Sequence, residues 1–332
     1  MSDGTAIEWT DATWNVITGC SVLSPGCKNC YAMKLAGTRL KRHPSRAGLT
    51  HESAAGPVWT GDVRWNEQWL LQPLQWKRPR QIFVCAHGDL FHENVPDAWI
   101  DRVMAVMALA RQHTYQVLTK RARRMREYFA TPGRAERITL RMLEIEEGRG
   151  RNHCELVKLP LPHVHLGVSA ERQQEADLRI PELLATPAAV RWVSLEPLLG
   201  SIDLERPRPG PDLDQGGGAK ICQPWLIQSL DWVVVGGESG DGARPMHPDW
   251  ARSQRDQCAA AGVPFNFKQW GSWLPVGRDP TEVQRLILQF AKPTARCYSW
   301  PDGETLVHVG KKAAGRLLDG VRHDDYPKRA EP

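Results

Sequence analysis

The chain has 332 residues, of which 41% are hydrophobic, and 43 Lys and Arg against 38 Asp and Glu leave a net charge of +5. That length suits one large α/β domain or two ordinary ones, with apolar content enough for a sizeable core. No run of about eighteen apolar residues occurs, which excludes a membrane-spanning helix, and the mild basic bias permits an anionic partner without requiring one.

The N-terminal "MSDGTAIEWTDATWN" has no basic stretch followed by an apolar run, so no signal peptide is expected. The chain is therefore read as cytoplasmic, where thiols stay reduced and clustered cysteines serve metals or catalysis. The first predicted strand is "NVIT" (15–18), and a Gly- and Pro-broken loop follows it, "TGCSVLSPGCKNCYA" (18–32). That loop carries Cys20, Cys27 and Cys30 in the spacing C-x6-C-x2-C. Residues 41–66 interrupt the rhythm with His43, His51 and several Gly and Trp. The next strand is "QIFVCA" (81–86), followed by "HGDLFHE" (87–93). A helix is predicted over 96–113, with Pro96 at its start and apolar residues at helical spacing. "YQVLTK" (115–120) is the third strand, and it runs into the basic stretch "KRARRMR" (120–126). "VHLGVS" (164–169) and "VRWVSL" (190–195) follow as strands, the latter leading into "SLEPLLG" (194–200). Residues 204–228 read as a long Pro- and Gly-rich loop. "DWVVVGGE" (231–238), a helix over 248–262 capped by Gly262, and "VPFNFK" (263–268) complete the pattern.

Strands alternating with crossover helices imply a parallel sheet. About seven such units point to a TIM-like (βα) barrel, closed or incomplete, with the cysteine loop after its first strand. A doubly wound open sheet is the competing topology. The expected organisation is a barrel over 1–274 with insertions near 41–66 and 204–228, and a polar C-terminal appendage over 275–332.

Strand ends are followed by polar groups: Cys20, Asp89, Lys120, Ser169 with Glu171, Glu196, Glu238 with Ser239, and Lys268 with Gln269. In parallel α/β folds those C-terminal ends converge on the active-site face. The blander explanation is that strands commonly end in polar turns. Thiolates suit iron–sulfur clusters and zinc. Three cysteines leave one iron of a four-iron cluster open, and such a cluster can bind and reductively cleave S-adenosylmethionine. A zinc site would instead recruit a fourth ligand from His43, His51, Cys85 or His87. Buried, inert thiols are the bland alternative for the loop, and the expectation for the isolated Cys154, Cys222, Cys258 and Cys297. Gly236 and Gly237 would let a ligand approach the backbone, with Glu238 accepting from a ribose or amine; a tight turn capped by Ser239 is the alternative. Glu196 is either a ligand for an amine or a turn carboxylate. "KRARRMR" reads equally as a phosphate-binding cluster or a solvated helix face. Of the fourteen Trp, most are expected in the core.

Several ordered motifs together resemble a known family: "IEWTDATWN", "TGCSVLSPGCKNCYA", "DLFHENVP", "YQVLTKRARRM", "LGVSAE", "WVSLEPLLGSIDL", "WVVVGGESGDGARPMHPDW" and "FKQWG". This is the phage-associated three-Cys-motif family of uncharacterised function. The resemblance runs from about Ile7 to Gly271, with a weaker match over 315–327. It implies a relation to radical S-adenosylmethionine enzymes, a TIM-like barrel, and a 4Fe–4S cluster on Cys20, Cys27 and Cys30. The usual radical motif is C-x3-C-x2-C with an aromatic residue before the last cysteine; here the first gap is six, and Tyr31 follows Cys30. Under this reading Gly236, Gly237, Glu238 and Ser239 contact S-adenosylmethionine. Asp89, Lys120, Glu196, Lys268 and Gln269 line the substrate side. The implied partners are a nucleotide or nucleic-acid substrate and an electron donor, with no membrane. The alternative is a nucleic-acid-binding protein with a structural zinc.

Overall fold

A computed structural model describes residues 5, 7–152, 155–205, 226–290 and 296–327. Among these it groups 1–168 with 182–191 as one compact unit, and 169–181 with 192–327 as a second. The fold is mixed α/β.

In the first unit, β1 (Ala12–Trp14) joins the main sheet, and β2 (Ile17–Thr18) leaves it. The sequence places the first strand at 15–18; the sheet strand instead lies three residues upstream. Ala12 and Trp14 are both fully buried, so the polar-looking "DATWN" hides a core strand. Asn15 then ends the run, its Oδ1 accepting from His87 N at 3.0 Å. The β-branched Ile17 and Thr18 go to a side ladder, antiparallel to β5 (Arg64–Trp65). Between them come α1 (Tyr31–Gly37) and a hairpin of β3 (Thr50–Ser53) and β4 (Gly56–Trp59). The interruption at 41–66 is therefore a structured insertion. Its Leu49 and Trp59 pack on Ala32, Met33 and Ala36 of α1, and Cys20 and Cys30 rest against the same cluster. Each large apolar side chain so buried contributes about 1.5–3 kcal/mol, so the insertion supports the cysteine loop from below.

The sheet continues with β6 (Gln81–Val84), β7 (Thr114–Thr119) and β8 (Val164–Ser169), each parallel to its predecessor, with Ala12 opposite Ile82, Gln81 opposite Thr114 and Tyr115 opposite Val164. β8 is buried along its whole length, as the apolar run "VHLGVS" requires of a strand covered on both faces. α2 (Asp97–Leu109) buries Ile100, Val103, Met104 and Met107 at helical spacing. It packs against α4 (Arg134–Glu147), which also meets α3 (Ala122–Ala130). Arg134 and Asp101 form a buried ion pair at 2.8 Å there, and Tyr128 Oη donates to Asp101 at 2.7 Å.

In the second unit, β9 (Val190–Leu195), β10 (Trp232–Gly236) and β11 (Phe265–Gln269) are parallel neighbours. Within each unit the strand order follows the chain, β1-β6-β7-β8 in the first and β9-β10-β11 in the second, as strand–crossover–strand repetition produces. α5 (Pro248–Ala261) has Pro at its first turn and ends at Gly262 with φ 67°, a left-handed cap. The segment after β11 is a three-stranded antiparallel sheet of β12 (Trp273–Gly277), β13 (Cys297–Ser299) and β14 (Thr305–His308). The end of the described chain returns to the parallel strands. Phe267 N donates to His323 O at 3.0 Å, Trp232 Nε1 to Asp325 O at 2.8 Å, and Tyr326 stacks on Trp232 at 5.1 Å. The loop expected at 204–228 lies largely outside the described residues. No helix among the described residues is long and apolar enough to cross a membrane.

Candidate functional site

The cysteine loop leaves the sheet at a constrained point. Gly19 bridges Gly88 in parallel, and its N–H donates to His87 O at 3.1 Å. Gly19 has φ 96°, and a Cβ there would sit 2.2 Å from the Asp62 carbonyl oxygen, so only glycine fits. Cys20 follows directly. The chain then makes a short 3-10 turn over Pro25–Cys27, with Cys27 N donating to Ser24 O at 2.9 Å. Cys30 stands at the N-cap of α1, and its carbonyl accepts from Lys34 N at 3.1 Å. Cys27 is buried; Cys20 and Cys30 are half-buried, and all three thiols are free. Burial pushes the Cys20 thiol up to about 12, against the pull of Arg121, while Asp89, Cys30 and Cys27 raise it further. Burial also raises Cys30, opposed by the Met33 and Ala32 backbone N–H groups and by Lys120, and reinforced by Cys27. The three sulfurs are thus close enough to feel one another's charge.

Arg121 organises the surroundings, and the sequence reading passes over it as one basic residue in a run. Its side chain is 4% exposed. One guanidinium nitrogen, Nη1, lies 3.4 Å from Cys20 Sγ and 3.3 Å from Asp89 Oδ2. Nη2 donates to Ser21 Oγ at 2.6 Å, and Nε to Glu93 at 3.3 Å. Asp89 accepts from Thr119 Oγ1 at 2.7 Å, Phe91 N at 2.9 Å and Lys120 N at 3.2 Å. Asp89 therefore orients Arg121 and ties the ends of β6 and β7 together. His92 accepts from Asn94 N through Nδ1, which leaves its Nε2 proton for Ser21 Oγ at 3.0 Å. Burial and the neighbouring Arg121 charge lower the His92 pKa, against the pull of Glu93 and Asp89. The other three arginines of "KRARRMR" are spent on nearby acids. Arg123 pairs with Glu127 at 2.8 Å, Arg124 with Asp97, and Arg126 with Glu182.

The second unit gathers its own strand ends. Lys268 Nζ lies 2.8 Å from both carboxylate oxygens of Glu196, and Gln269 Nε2 donates to Glu196 Oε1 at 3.2 Å. Ser169 Oγ donates to Glu196 O at 3.2 Å, and Leu198 N to Gly236 O at 3.0 Å. Lys268 and Gln269 thus hold the Glu196 carboxylate, while Ser169 holds its backbone carbonyl. A Cβ on Gly236 would come within 3.0 Å of Glu196 Oε1, and one on Gly237 within 2.1 Å of the Trp270 carbonyl oxygen. The close approach at Gly237 is to the protein's own backbone. Glu238 is engaged by Arg244, which donates from N, Nε and Nη2 at 2.9, 3.0 and 2.6 Å. Ser239 is exposed.

The four residues considered as a fourth zinc ligand have other surroundings. His43 Nδ1 lies 2.6 Å from Ser45 Oγ, His51 is exposed on β3, Cys85 is buried, and His87 Nδ1 accepts from Arg46 Nε at 3.4 Å. Among the described residues, one group of three has ligating atoms all within 4.8 Å of one another, His247 with Asp249 and Asp302. Arg252 and Arg278 already pair with its two carboxylates at 2.7 and 3.0 Å. Of the isolated cysteines, Cys258 is buried as expected, whereas Cys297 is exposed on the edge strand β13; Cys154 and Cys222 lie outside the described residues.

No curated protein and no solved structure matches the chain. One family's sequence profile covers residues 4–327, nearly the whole length. The chain belongs to that family, described as "Protein of unknown function (DUF5131)".

Proposed function

We propose that this chain is an iron–sulfur protein of the radical S-adenosylmethionine type, built on a TIM-like barrel. Its substrate would be a nucleotide or nucleic acid in a phage setting. Cys20, Cys27 and Cys30 would hold a four-iron cluster with one iron left open. The observation that carries this reading is the set of three thiols on one buttressed loop, with Cys27 near enough to raise the pKa of Cys20 and of Cys30, and with cations beside them. The donor set fits the group: soft thiolates alone, three in number, around which Arg121 and Lys120 supply positive charge. When bound, such a cluster supplies an open iron for the amino and carboxylate groups of S-adenosylmethionine and an electron for its cleavage.

The residues of this chain hold and insulate that site. Arg121 hydrogen-bonds the Cys20 sulfur and would offset its thiolate charge; Asp89 fixes Arg121 in place. Leu49 and Trp59 belong to the apolar cluster on which Cys20 and Cys30 rest. The test is anaerobic reconstitution with iron and sulfide, then S-adenosylmethionine under reducing conditions. The expected outcome is a brown protein with four irons per chain that forms 5′-deoxyadenosine. Stoichiometric zinc with no iron uptake would overturn the cluster and favour a structural zinc. An intact cluster that forms no 5′-deoxyadenosine would remove the enzyme class alone.

A further inference from the structure

Four arginines are buried among the described residues: Arg46, Arg121, Arg134 and Arg179. Three of them face carboxylates. Arg121 has Asp89 and Glu93, Arg134 has Asp97 and Asp101, and Arg179 has Glu171 at 3.0 Å. Arg46, only 5% exposed, has none among the described residues. Its Nη1 donates to Ser45 Oγ at 2.5 Å and Ser45 O at 3.4 Å, and its Nε to His87 Nδ1 at 3.4 Å. Its guanidinium lies 5.9 Å from the Trp69 ring. Of the groups that act on its charge, Arg64 is of the same sign, its nitrogens held by Pro44 O at 2.6 Å and Ala47 O at 2.7 Å, and the Tyr31 phenol opposes it. Burying a charge without a counter-charge costs several kcal/mol, and proteins retain such groups where a ligand completes them.

We propose that Arg46, with His87 beside it, is the receptor for a compact oxyanion, a phosphate or carboxylate group of the ligand handled next to the cysteine loop. The location supports this. The His87 ring meets the Tyr31 ring edge-on at 5.9 Å, and Tyr31 directly follows Cys30. His87 is kept neutral by burial and by Arg46, its pKa pushed down to about 4, so its Nδ1 accepts from Arg46 and Nε2 carries the proton. The pair therefore presents donors only. Burial and then Arg64 depress the Arg46 pKa to about 10, the direction expected of a cation awaiting an anion. A guanidinium fork matches the paired oxygens of phosphate and carboxylate, and its charge-assisted bonds are the strong ones. The inference does not rest on which metal the cysteines hold.

The test titrates full-length protein with inorganic phosphate and, separately, acetate, at ionic strength held constant with chloride. The readouts are the thermal unfolding midpoint and the Arg46 Nε–H resonance. The expected result is a saturable rise in the midpoint together with a shift of that resonance. Arg46→Met should weaken the response about tenfold or more, and Arg46→Lys should keep part of it. Without anion, Arg46→Met should unfold no earlier than the wild type, because the uncompensated charge is gone; a merely structural arginine would lower the midpoint. A response to phosphate alone assigns the phosphate source, and one to acetate alone the carboxylate. Should Arg46→Met not fold, the wild-type resonance decides. No saturable response beyond chloride, or an undiminished response in Arg46→Met, overturns the proposal.

Discussion

Replacing Arg121 by Met separates the two tasks assigned to it, holding Asp89 and facing Cys20. The Asp89 side chain is 7% exposed and keeps three donors after the change, from Thr119, Phe91 and Lys120. Breaking a buried pair by removing one partner costs 3–5 kcal/mol, and the three remaining hydrogen bonds put this case at the low end, about 3 kcal/mol. The Glu93 contact adds little, since that carboxylate is 56% exposed. Asp89→Asn alone removes the same attraction from the other side. The double variant should recover part of the loss, with a coupling energy of about 2 kcal/mol. Urea unfolding of the four proteins under reducing conditions measures this. An Arg121→Met cost below about 1 kcal/mol, or additivity within about 0.5 kcal/mol, would refute the view of Arg121 and Asp89 as a coupled buried pair.

Cys27→Ala should abolish iron uptake on anaerobic reconstitution; full retention of colour and iron would remove Cys27 from the donor set. Gly237→Ala places a methyl 2.1 Å from the Trp270 carbonyl oxygen and should prevent folding or lower the midpoint sharply. Gly200→Ala, whose nearest neighbour would be Arg172 Cγ at 3.6 Å, should be tolerated, and equal effects at the two positions would contradict this packing. The guanidinium of Arg252, followed by that of Arg255, holds the Asp319 pKa below the ordinary range despite partial burial. A carboxyl whose folded pKa is depressed contributes stability above its unfolded value of about 4, and that contribution is lost as pH falls through the folded value. The stability gap between wild type and Asp319→Asn should therefore be constant near neutrality and close progressively below about pH 4; a gap that widens on acidification would contradict the assignment.

Much of the architecture was legible along the chain because its signals are local. Buried parallel strands must be continuously apolar, so "VHLGVS" and "VRWVSL" declare themselves at the bounds β8 and β9 occupy. The helix over 248–261 carries its own start in Pro248 and its own stop in Gly262. β1 escaped notice because three residues are too few to show an alternation, and two of its neighbours, Asp11 and Asn15, are polar. The cysteine spacing, too, is a local fact and drew attention at once.

What the tertiary structure alone decided is which charges meet. The partners of Arg121 lie 28 to 101 residues away, and Glu196 and Lys268 are 72 apart. No pattern within a window separates a buried hub from the solvent-facing arginines that follow it in the same run. Arg46 is the sharper case. Its neighbours in sequence resemble those of any basic loop residue, and only folding removes it from water while bringing no carboxylate to it among the described residues. Burial and charge pairing are properties of position in space, and a chain fixes that position through long-range packing.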